Sequence, residues 1–233
     1  MKRSPAIAVI VLLLPPLSHA QEAPSGSVTR QDMPRWSVGM GAAARASEFA
    51  GEGTRTRAIP YVSYEGDRFY LRGATIGYRL VDRPGFSVNG FVAGRLDGID
   101  ADDFGVDELA ERGVDRNLLS DRDDSADAGV AMVLRGSLGE VELDTRADVT
   151  DASGGYQTSL EYRYPIPIGT ATLIGGVGAT YLSSDMANYY YGTLDEEVAR
   201  GVVDYKPDDV VVPYATVTLF TSIGKNWLLS ANA

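Results

Sequence analysis

The sequence predicts an all-β protein, an antiparallel transmembrane β-barrel of about 10–12 strands. Three observations predict it: two-residue alternation of charge and grease, short turns that alternate with long loops, and an export signal at the start. The alternation is plainest at 140–149, EVELDTRADV. There Glu140, Glu142, Asp144, Arg146 and Asp148 share one parity, and Val141, Leu143, Thr145, Ala147 and Val149 the other. Side chains alternate faces along a strand, so one face is charged and the other nearly all apolar. Coiled into a helix, the same residues would spread charge around the whole circumference.

In chain order, residues 1–20 (MKRSPAIAVIVLLLPPLSHA) set Lys2 and Arg3 before an apolar run at 6–14. Ser18 and Ala20 then stand at the −3 and −1 positions of a cut before Gln21. That is the pattern of a secretory signal peptide. As a helix the nine apolar residues reach about 14 Å, too short for a membrane anchor. With no cysteine after the cut, a lipoprotein anchor is excluded. Residues 21–34 read as a polar, flexible leader, and 35–233 as the barrel.

Strands are expected at 36–46, 57–65, 68–72, 74–81, 86–96, 127–136, 140–149, 155–164, 170–182, 210–222 and 226–232. The pair 68–72 and 74–81 reads equally as one strand bulged at Gly73. Short turns fall at 66–67, 82–85 (DRPG), 137–139, 165–169 (PIPIG) and 224–226. Long loops fall at 47–56, 97–126, 150–154 and 183–209. Of the thirteen tyrosines, Tyr61, Tyr78, Tyr164, Tyr181 and Tyr214 sit near strand ends, where interfacial girdles form.

With the apolar parity against lipid, the charged parity lines a wet lumen: Arg95, Arg135, Glu140, Glu142, Asp144, Arg146, Asp148, Glu161 and Arg163. Arg135, Arg146 and Arg163 are placed to pair with Glu142, Asp144 and Glu161. A soluble β-sandwich or lipocalin-like barrel would carry the same alternation inverted. The abundance of Ala, Thr and Gly favours the membrane, because a soluble core of this size calls for larger side chains. The lumen charges fit a solute-selecting pore and equally a closed salt-bridge network.

Composition removes many functions. The formal charge of −11 becomes −13 once Lys2 and Arg3 leave, which argues against nucleic acid and against electrostatic docking on anionic lipid. There is no cysteine, and the single histidine, His19, lies in the signal. Serine–histidine and cysteine–histidine nucleophiles, histidine-bound zinc and thiolate metal sites are therefore ruled out of the mature chain. No enzyme activity, catalytic residue, metal or cofactor is expected. Stretch 97–127 holds twelve acids against Arg112, Arg116 and Arg122. It reads as a solvated loop with a helical turn or two in DELAERGV, since DRDDSAD lacks the glycine and terminal Glu of a calcium loop. Glu196 and Glu197, adjacent in sequence, point about 100° apart on a helix. They read as helix-start acids, not as a catalytic dyad.

Three stretches in this order resemble the MipA/OmpV family of outer-membrane proteins: PYVSYEGDRFYLRG (60–73) with GYRL (77–80), LLSDRDDSADAGV (118–130), and YYYGTLDEEVARGVVDYKP (189–207). The resemblance runs from about residue 36 onward. It implies a barrel in the cell outer membrane, in contact with its lipid. It also implies a scaffold that brings a lytic transglycosylase together with a penicillin-binding protein for wall growth. A small-solute or antibiotic-permeating pore and a surface adhesin using 97–126 and 183–209 are the alternatives. Barrels of the family end on an aromatic residue, whereas this sequence ends NWLLSANA. The expectation is a barrel truncated at the C-terminus, since open edges in lipid are very costly.

Overall fold

The computed structural model describes residues 8–14, 35–46, 54–111, 113–224 and 227–233. The leader at 21–34 and the cut before Gln21 lie outside the described residues.

Eleven strands follow one another in an antiparallel meander: β2 (Trp36–Ala46), β3 (Thr54–Glu65), β4 (Phe69–Arg72), β5 (Thr75–Arg83), β6 (Phe86–Arg95), β7 (Ser125–Gly136), β8 (Gly139–Asp148), β9 (Tyr156–Ile168), β10 (Ala171–Leu182), β11 (Val210–Ile223) and β12 (Trp227–Asn232). Each pairs with its sequence neighbours, so every connection is a hairpin. The eleven do not close on one another. The sheet curls until its edges stand one strand apart, and β1 (Ala8–Leu14) occupies that gap. Its Leu12 lies opposite Leu229 of β12 on one side and Met40 of β2 on the other. Among the described residues no helix is long and apolar enough to cross a membrane.

The outer and inner faces invert the usual soluble pattern. Val38, Met40, Ile76, Val92, Val130, Leu134, Leu160 and Val177 are exposed on the outside. On the inward parity, Ser63, Arg79, Ser87, Asp127 and Asp144 are buried. In β8 the charged parity turns inward, while Val141, Thr145 and Ala147 face out. Aromatic pairs mark both rims of the outer face. Trp36 packs on Tyr64 (ring centroids 4.7 Å apart) and Phe69 on Tyr78 (4.8 Å) near the short turns; Tyr156 meets Tyr181 (6.0 Å) near the long loops. Tyr61 and Tyr214 do not join them. Each shares the parity of an inward neighbour, Ser63 and Thr216 respectively, and points into the interior.

Glycine thins the inner wall where aromatic rings need room. Tyr70 stands opposite Gly77, Phe91 opposite Gly129, and Tyr214 opposite Gly178. A Cβ on these glycines would lie 2.1, 2.7 and 2.6 Å from the respective ring. The rings thus cover bare backbone of the next strand. Gly129→Val is expected to cost about 1–3 kcal/mol through overpacking against Phe91. A lower urea midpoint for refolding into detergent micelles would register it; an unchanged midpoint would contradict this packing account.

The structure decides between the two readings of 68–81, in favour of two strands, and changes one assignment. Gly73, at φ +57°, makes a tight turn and not a bulge, so Arg72 faces Thr75 across a true hairpin; the irregularity in β5 lies instead between Arg79 and Val81. The PIPIG stretch is strand up to Ile168, with the turn at Gly169 (φ +59°). Odd residues of β9 direct their backbone groups toward β8, as the Asp148 N–H bond to the Gly155 carbonyl shows. Pairing with β8 ends at Arg163. Pro165 and Pro167 therefore lack an N–H only on a side without a partner, where proline is tolerated.

Candidate functional site

The interior is built from rows of side chains that the hairpin registers bring level. One row sets Arg135, Glu140 and Arg163 side by side on β7, β8 and β9. Arg135 pairs with Glu140, and Arg163 bonds Glu140 (2.6 Å), Glu142 and Glu161 (3.5 Å). Glu142 and Glu161 stand directly opposite as like charges, and the shared Arg163 offsets their repulsion. Gly176, level with Arg163, leaves room for the Thr216 hydroxyl to donate to Glu161 (3.1 Å). Further up, Phe91, Gly129 and Arg146 form a row. The Arg146 guanidinium lies 5.3 Å from the Phe91 ring and donates from Nε to Asp144 (2.8 Å).

These side chains surround a cavity of about 530 Å³. It is lined by Arg135, Glu140, Glu142, Asp144, Arg146 and Arg163 from β7–β9, faced by Tyr70, Arg72, Arg79, Ile174 and Phe220 from the other walls. Arg72 and Arg79 both reach Glu65, and both sit against the Tyr70 ring. The alternation pointed to the β7–β9 charges. Arg72 was missed because β4 is only four residues long and carries too little period to read. Glu65 is the last residue of β3, and Arg79 stands at the irregularity in β5, where the alternation breaks.

Two inward charges lie elsewhere. Arg95 sits above the cavity and bonds Asp127 (2.6 Å), Asp97 (3.1 Å) and Gln157 (2.6 Å). The Asp148 carboxylate accepts bonds from Thr150, Ser153 and Gly154, and so fastens the β8–β9 loop.

Over the Arg95 cluster the two longest loops form a folded cap. Helix α1 (Val106–Ala110) lies in the first loop; α2 (Ser184–Tyr191) and α3 (Asp195–Ala199) lie in the second. Leu182, Met186, Ala187 and Tyr190 make a small apolar core with Tyr189 and Val210. The α2 helix begins at Ser183, whose hydroxyl accepts from the Met186 N–H (3.4 Å). It rests on Gly155, where a Cβ would stand 2.4 Å from the Met186 nitrogen. Tyr190 reaches down to Ser125 (3.2 Å); burial pushes its phenol pKa up to about 12.

The cap corrects the expectation of a solvated loop at 97–126. Ile99 and Arg122 are buried and bridge the base of that loop through paired backbone bonds. Arg122 then enters the second loop, bonding the Tyr189 and Gly192 carbonyls (2.8 and 3.1 Å) and both oxygens of Glu197 (2.8 and 2.9 Å). Glu197 also accepts from the N–H groups of Ser120 and Leu194 (2.8 Å each). It is a linchpin between loops as well as a helix-start acid. The carboxylates of DRDDSAD go to separate donors: Asp121 to Ala101 N–H, Asp124 to Gly98 N–H, Asp127 to Arg95. Among the described residues no cluster of metal-ligating side chains converges.

Burial alone would raise the Glu197 pKa, but the bonds from Arg122, Ser120 and Leu194 outweigh it and hold the carboxyl below its ordinary value. A depressed folded-state pKa contributes stability above the unfolded value, about 4.3, that is lost as pH falls through the folded value. Protease cleavage within 97–126 and 183–209 is therefore expected to rise below about pH 4 while the strands stay protected. Cleavage that does not change with pH would remove Glu197 from this role.

Comparison with known proteins places the chain. The profile for MltA-interacting protein MipA matches residues 38–233. The Escherichia coli K12 protein that bears the name outer membrane protein YiaT is 33% identical over 201 residues, 84% of this chain and 78% of its own. The MltA-interacting protein of the same organism is 25% identical over 204 residues, 85% of this chain and 78% of its own. Outer membrane protein OmpV of Vibrio cholerae is 26% identical over 163 residues, covering 70% and 61%. No solved structure matches the chain. An all-antiparallel sheet with an apolar outside and a charged inside, matched by one family profile over nearly all its strands, makes this chain a member of the MltA-interacting protein MipA family, located in the outer membrane.

Proposed function

We propose that this protein spans the outer membrane as a β-barrel and acts there as a non-enzymatic docking platform for murein enzymes. The observation that carries the membrane part is the inversion of the two faces. A soluble monomer seldom exposes a contiguous apolar patch beyond roughly 300–600 Å², and here the exposed apolar residues recur around the strands. In lipid the same surface is satisfied, while the ionic parity stays hydrated inside. By the usual orientation the short turns face the periplasm and the folded cap faces the cell exterior. Residues 1–20 leave as a signal peptide on this reading. The edges of β2 and β12 that β1 covers are then the seam at which the cylinder must close.

The platform reading rests on the relative named for its interaction with MltA. It fits an interior in which Arg72, Arg79, Arg95, Arg135, Arg146 and Arg163 each have an acidic partner beneath a folded cap. A lytic transglycosylase is the expected partner, with a penicillin-binding protein as the second. Affinity capture from detergent-solubilised envelope is expected to retain a murein hydrolase together with a synthase. Retention of neither sinks the platform and leaves the barrel standing. The pore reading draws on the cavity itself, and steady single-channel current in planar bilayers would favour it instead.

A further inference from the structure

The cavity in the lower half of the interior has a chemistry of its own. Arg146 has only Nε engaged, on Asp144, while its two terminal nitrogens have no partner among the described residues. The guanidinium nevertheless lies over the Phe91 ring, 5.3 Å from its centroid, and the base of the Arg146 side chain packs beside the bare backbone of Gly129. A planar fork fixed by packing, with both terminal nitrogens open, suits bidentate recognition of a carboxylate. On the same face of the same strand, Asp144 and Glu142 each spend one oxygen, on Arg146 and Arg163 respectively, and keep the other available. Successive same-face residues are about 7 Å apart along a strand, so an open cation and open anions face one small space.

Its volume of about 530 Å³ lies within the range of small-molecule pockets, roughly 300–1,000 Å³. The space lies toward the short turns. There the side chain of Arg135 is 43% exposed, whereas at the other end Arg95, Asp127 and Gln157 close the interior beneath α2. A purely anionic ligand would meet Glu142 and Asp144, and a purely cationic one would meet Arg146. A ligand carrying both charges satisfies the open groups of both signs.

We propose that this chamber binds a small zwitterion of amino-acid to dipeptide size, entering from the short-turn side. Its carboxylate lies on the Arg146 fork and its ammonium against Glu142 and Asp144. The proposal rests on the barrel reading above, which supplies the water-filled interior, and is independent of the murein-enzyme platform.

The test is isothermal titration of the protein, folded in detergent micelles, with L-alanyl-L-alanine, its N-acetyl derivative and its C-terminal amide. The free dipeptide is expected to bind at least about tenfold more tightly than either blocked form. Arg146→Gln and Arg146→Lys are expected to weaken the free dipeptide to the level of the amide, and Glu142→Gln to the level of the acetyl form. Heat-modifiable gel migration, read for every variant, separates a lost barrel from a lost ligand. Equal binding of all three compounds, retention of the acetyl form alone, or no heat of binding from a heat-modifiable protein overturns the proposal.

Discussion

Arg122→Ala is expected to unfasten the cap while leaving the strands paired. Glu197 would then remain as a buried carboxylate, with a side chain 1% exposed and its charged partner gone. Breaking one side of a buried pair typically costs about 3–5 kcal/mol, most of it from the abandoned charge. The Tyr189 and Gly192 carbonyls would lose their donor as well. The loss should be local, because Arg122 binds loop to loop and touches no strand ladder. Hydrogen exchange is expected to accelerate across 97–126 and 183–209, with the β7–β11 amides unchanged. Arg122→Ala/Glu197→Ala should recover part of the loss, since no charge is left buried. A single variant as protected as the parent would show that the two loops hold together by other contacts.

The second large effect tests the orientation of the sheet. Val130 in β7 and Val177 in β10 lie near mid-strand and are 47% and 57% exposed on the outer face. On a soluble protein, valine to arginine at such exposed positions would cost little. Facing the bilayer midplane, each arginine should cost about 2–4 kcal/mol. Urea unfolding from lipid vesicles measures this directly. Val130→Arg and Val177→Arg are expected to lower stability by that amount, whereas Val106→Arg, on exposed α1 in the cap, should be near neutral. Silent substitutions at 130 and 177 would place the apolar face in water and end the membrane reading.

The strand pattern was legible because a half-charged, half-apolar strand advertises both its period and its faces. EVELDTRADV is the clearest case: along β8 the charged parity is buried or half-buried and Val141, Thr145 and Ala147 are exposed. What stayed hidden depends on register or on distance along the chain. Tyr61 and Tyr214 look like rim residues until the parity of Ser63 and Thr216 is known. PIPIG reads as a turn because proline usually marks one, and only the end of β8 reveals why both prolines can remain in a strand. Arg122 and Glu197 are 75 residues apart, and no local period joins them. Each looks like one more charge in a polar loop. The open fork of Arg146 was invisible for a related reason: its freedom follows from which acids its neighbours have already taken.

The two prolines of β9 have a further consequence. Beyond Arg163 that strand runs past its neighbour as a bare rail, flanked by exposed Ile166 and Ile168. Such a rail would ordinarily recruit a foreign segment and seed runaway aggregation in a crowded compartment. Pro165 and Pro167 are the residues whose backbone groups face the open side, and neither has an amide hydrogen, so an incoming strand finds no donor there to grip. The overhang can therefore stay greasy without becoming a template.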